Sequence, residues 1–63
     1  MSTIKNNHGQ DINEDARVYL TEQHRKQYGG ARMIDALTFV QHHPDIRLQE
    51  GFIIGLYHYN NGI

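Results

Sequence analysis

The sequence predicts a small all-α domain, a bundle of three helices over about 11–28, 31–42 and 45–59 behind a mobile polar arm of residues 1–10. Three observations predict it. Leu48, Phe52, Leu56 and Tyr59 recur at i, i+4, i+8 and i+11, and Ile53 with Tyr57 widens that stripe into a broad apolar face. Asp11-Ile12-Asn13-Glu14 has the form of a capping box, which opens a helix. Gly29-Gly30 and His43-Pro44 supply corners between helices, the first through left-handed closure and the second through proline's restriction of its neighbour.

The elements follow in order. Residues 1–10 carry one large aliphatic side chain, Ile4, and no period of either kind. In the first helix Ala16, Tyr19 and Leu20, with Val18, form a thin apolar stripe. Glu14 and Asp15 stand in its first turn and Arg25 and Lys26 in its last, which suits the helix dipole. The second helix places Met33, Leu37 and Val40 in one row flanked by Ala36 and Phe39. Pro44 then stops it. The third segment also has strand character in Ile53-Ile54 and its tyrosines, but after Asn60-Asn61-Gly62 only Ile63 is left to return as a second arm. The reading is therefore helical, with Leu20, Leu37, Val40, Phe52, Ile53 and Leu56 central to the core. Gly51 and Gly55 lie four apart on that helix at a cost of up to about 1 kcal/mol each, which close approach of another helix would offset.

Composition narrows the function. A chain of 63 residues makes one domain of marginal stability, and without cysteine it has neither disulfides nor thiolate metal sites to support it. The formal charge of −1 lacks the long-range field that draws nucleic-acid binders to phosphate. There is no apolar run of membrane-spanning length and no signal peptide, so the expected location is the cytoplasm.

No constellation of residues suggests catalysis. His8, His24, His42, His43 and His58 include no i, i+4 pair on one helix and no HExxH motif, so no metal site and no cofactor are expected. Ser2 lies in the arm, Thr21 and Thr38 lie mid-helix, and the carboxylates Glu14, Asp15, Asp45 and Glu50 stand at helix starts and turns. Two interaction readings are left. The first is a protein-binding module, homodimeric through the third helix, with Ile54, Tyr57 and Tyr59 at the contact. The alternative is a small dimeric DNA-binding regulator that meets phosphate through Arg17, Arg25, Lys26 and Arg32.

Taken together, the polar arm, the Asp11-Ile12-Asn13-Glu14 cap and the Gly51-Phe52-Ile53-Ile54-Gly55-Leu56-Tyr57 helix resemble the small early accessory proteins of lambdoid bacteriophages, such as those encoded in the exo–xis region. That resemblance implies an all-helical, non-enzymatic accessory protein. It would act in the cytoplasm of an infected bacterial cell through contacts with a host or phage protein, modulating host physiology or phage development. It implies no residue roles.

Overall fold

The alternation Ala16-Arg17-Val18-Tyr19-Leu20 decides the architecture. Its even positions are buried and its odd ones exposed, the period of a strand with one face on a core. The computed structural model describes residues 2–59. Met1, and residues 60–63 where the returning strand would have to form, lie outside them. Along the chain run β1 (Thr3–Lys5), β2 (Asp11–Asn13), β3 (Arg17–Tyr19), α1 (Glu22–Arg25), a 3₁₀ turn (Lys26–Tyr28), β4 (Met33–Asp35), α2 (Ala36–His42), β5 (Gln49–Glu50) and β6 (Leu56–His58). The protein is mixed α/β, with strands dominant, and the expected three-helix bundle is wrong.

Each expected helix fails for a local reason. The segment 11–28 is strand at both Asp11–Asn13 and Arg17–Tyr19, and only Glu22–Arg25 with the following 3₁₀ turn is helical. The polar segment read as an arm is paired as well: β1 lies antiparallel to β2, with Ile4 opposite the fully buried Ile12. Within 31–42 the helix begins only at Ala36, capped by the Asp35 carboxylate, which accepts from the Thr38 N–H at 3.2 Å. The segment 45–59 is a hairpin, β5 against β6, whose turn is residues 51–55. Gly55 has φ +83°, a left-handed conformation that closes this turn and has no place inside a helix. One corner stands as read: the 3₁₀ turn ends on Gly29 in the left-handed region.

The four-stranded sheet has the order β4-β3-β6-β5, with β3 antiparallel to β4 and parallel to β6. Val18 at its centre pairs with Ile34 on one side and Tyr57 on the other, and both of these pack inward on the core. That core is Ile12, Ala16, Val18, Leu20, Ala36, Phe39, Val40, Leu48 and Tyr59, so Leu20 and Val40 are buried as expected. Of the other expected core residues, Leu56 is half-buried, and Leu37, Phe52 and Ile53 are exposed. The turn between β1 and β2 clasps the loop after α2. Gln10 exchanges bonds with both backbone groups of Leu48, its Nε2 donating to the carbonyl at 2.7 Å and its Oε1 accepting the N–H at 2.9 Å, as a neighbouring strand would.

Candidate interaction surface

The turn of the β5–β6 hairpin presents Phe52, Ile53 and Ile54 to solvent at 108%, 64% and 93% of full exposure. Its shape comes from local bonds. The Gly51 N–H donates to the Leu56 carbonyl at 3.2 Å, the Leu56 N–H to the Ile53 carbonyl at 3.1 Å, and the Gly55 N–H to the Glu50 carboxylate at 3.3 Å. The Arg17 N–H, donating to the Gly55 carbonyl at 2.8 Å, ties the turn to β3. Three consecutive large apolar side chains at a fixed, bonded turn form a concentrated apolar patch on a small protein, the kind of feature that marks an association surface.

An open groove of about 380 Å³ runs beside this tip, lined by Met33, Leu56, Ile53 and Ile54 with Asp15 and Arg17 at its polar side. The alternation of the strands makes it. Val18, Ile34 and Tyr57 turn inward, which leaves Arg17 and Tyr19 on β3, Met33 and Asp35 on β4, and Leu56 and His58 on β6 facing out. On this outer face the rings of Tyr19 and His58 lie 5.7 Å apart, and the Arg25 guanidinium stands 5.6 Å over the Tyr19 ring.

A second cluster lies under the opposite face. The Tyr59 hydroxyl receives the Thr21 N–H at 3.0 Å and the Thr21 hydroxyl at 3.2 Å, and lies 2.7 Å from His24 Nδ1. The His24 ring stands 4.6 Å from that of His43, and Phe39 packs against all three rings. Burial, with the charges of His24 and His42 added to it, holds His43 below the ordinary histidine value. Burial likewise raises the Tyr28 hydroxyl, with Tyr59 adding to it, while His42 accepts or donates at 3.1 Å on the same hydroxyl. Among the described residues no group of three histidines and carboxylates is arranged to hold a metal ion.

The residues expected at the contact separate. Ile54 is at the exposed tip, Tyr57 is half-buried on the inward face of β6 with its hydroxyl raised by burial and then by Glu50, and Tyr59 is buried. The four cations of the DNA reading also divide. Arg17 sits on β3 opposite Asp35, Arg25 is bonded to the Leu20 carbonyl and the Tyr19 hydroxyl, Lys26 is exposed on the 3₁₀ turn, and Arg32 precedes β4. Phe52, Ile53, Met33 and Leu56 were not singled out for contact from sequence. The signal for the first two is an apolar triplet bracketed by Gly51 and Gly55, which reads as a hairpin turn as readily as a helical stripe.

No family model matches the chain, and neither a curated protein nor a solved structure matches it. No helix among the described residues is long and apolar enough to cross a membrane.

Proposed function

We propose that the chain is a non-enzymatic interaction module that associates through the Phe52-Ile53-Ile54 tip and the adjoining groove, with a second copy of itself as the occupant. The observation that carries this reading is the full exposure of Phe52 beside a groove lined by Met33 and Leu56. A knob and a hole side by side on one surface are self-complementary about a two-fold axis, so each copy can seat its Phe52 in the groove of the other. An aromatic side chain buries about 150–250 Å². With two isoleucines added from each copy, the contact comes to on the order of 1,000 Å², the low end for a specific interface. The dimer is therefore weak and concentration-dependent.

Each feature behind the lambdoid-phage resemblance has another structure: the polar arm is strand β1, the Asp11–Asn13 cap is strand β2, and the Gly51–Tyr57 helix is a hairpin turn with part of β6. An accessory role in an infected bacterial cell is retained as the setting of this proposal. Affinity capture from bacterial lysate, with Phe52→Asp as the control bait, tests it.

Sedimentation equilibrium tests the self-association. The wild-type mass should rise from monomer towards dimer with concentration, and Phe52→Asp should stay monomeric with an unchanged circular dichroism spectrum, because its side chain touches no core. A monomer mass at every wild-type concentration would remove the second copy as occupant.

A further inference from the structure

We propose that His24, His43 and Tyr59 form an acid-sensitive latch that holds the β5–β6 hairpin on the sheet. Tyr59 follows β6 directly, and its hydroxyl is the only polar group through which this end of the strand is bonded to α1 and Thr21 among the hydrogen bonds described. A hydroxyl has two lone pairs and one proton. The N–H and the hydroxyl of Thr21 occupy both lone pairs, so the Tyr59 proton is directed to His24 Nδ1 at 2.7 Å. This network assigns His24 the tautomer that carries its proton on Nε2.

His43 adds the second component. Its Nε2 is buried without a hydrogen-bond partner, and its ring lies 4.6 Å from His24 and 5.1 Å from Phe39. The titratable groups facing it are His24 from α1, Tyr28 from the 3₁₀ turn and His42 from its own helix, with Tyr59 reached only through His24. None is a carboxylate, and the only ion pair among the described residues joins Lys5 to Asp11. The fold therefore favours neutral His43. The latch is at full strength above the ordinary histidine value of 6.5 and weakens as pH falls below it, since the opened chain binds the proton more readily.

Beyond the Tyr57 packing and the Arg17–Gly55 bond, the pairing that holds the hairpin is short. β6 meets β3 over two residue pairs, Arg17 with Leu56 and Val18 with Tyr57, and β5 is two residues long at the sheet edge. Charging His43 puts an unpaired charge at a buried nitrogen against Phe39 and the His24 ring, which disrupts the packing that holds Tyr59 and loosens the strand that carries the apolar tip. Control of association by this latch rests on the function proposed above; the latch itself does not.

Hydrogen exchange on the full chain, read as protection factors corrected for intrinsic rates, tests it at concentrations below self-association, so the two readings fail separately. The reporter is the Arg17 amide, which donates to Gly55, and the control is the Ala36 amide, which donates to Ala16 between β4 and β3. Between pH 7.5 and 5.5 Arg17 protection should fall, by up to about tenfold, the limit that one unit of proton linkage sets, while Ala36 protection holds. His43→Leu should abolish the fall. Should that variant not fold, Tyr59→Phe should show low Arg17 protection already at pH 7.5 with no further drop. Constant Arg17 protection in the wild type, a parallel loss at Ala36, or a fall that persists in His43→Leu overturns the latch.

Discussion

Tyr59 shows how one side chain can serve two layers. Its ring packs 5.0 Å from Phe39 in the core, and its hydroxyl satisfies Thr21 and His24, so apolar and polar needs are met at one buried position. Removing the hydroxyl leaves the half-buried Thr21 N–H and the buried His24 Nδ1 without their partner while the ring stays packed. Tyr59→Phe should therefore lower stability by about 1–3 kcal/mol, the cost of orphaned buried polar groups, measured by urea denaturation. At this scale the sequence misled for a physical reason. Tyr59 falls in helical register with Leu48, Phe52 and Leu56, yet Leu48 and Tyr59 are buried while Phe52 is wholly exposed, so the shared period reflected no shared face.

At the scale of elements, α2 was the most legible. Ala36, Phe39 and Val40 are buried although Leu37 of the expected row is exposed, and His43-Pro44 ends it as the sequence indicates. The helix starts at Ala36, not at 31, because Asp35, expected to face out from within the helix, caps it. Thr38 donates from its hydroxyl at 2.7 Å and from its N–H at 3.2 Å, and these bonds hold the Asp35 carboxyl below the usual carboxylate range. A depressed carboxylate stabilises the fold above its unfolded value and loses that contribution as pH falls through its folded value. Asp35→Ala should cost about 1 kcal/mol at neutral pH, with the difference from wild type vanishing in strong acid, as thermal melts across pH would record. The strands were harder to read because each is two or three residues long. Such runs are shorter than the four to eight residues over which alternation becomes evident, and the buried-exposed pattern of residues 16–20 fits a thin helical stripe almost as well. Asn60-Asn61-Gly62 is the stronger turn signal in sequence, whereas the hairpin turns at residues 51–55, where Gly51 and Gly55 have the spacing of a helix contact face.

At the scale of the whole molecule, the central claim is that this small fold places its apolar tip outside its own core for use by a second copy. The candidate site was legible only at Ile54; its other members required the sheet, since Met33 and Leu56 are brought to one groove by the pairing of β4, β3 and β6. The most direct measurement is an isotope-filtered NOE experiment on a mixture of labelled and unlabelled chains, at a concentration where the solution mass exceeds that of a monomer. The account predicts intermolecular NOEs from the Phe52 ring of one copy to the Met33 and Leu56 methyl groups of the other. Intermolecular NOEs confined to another surface, such as that around the exposed Leu37, or none involving Phe52, would contradict it.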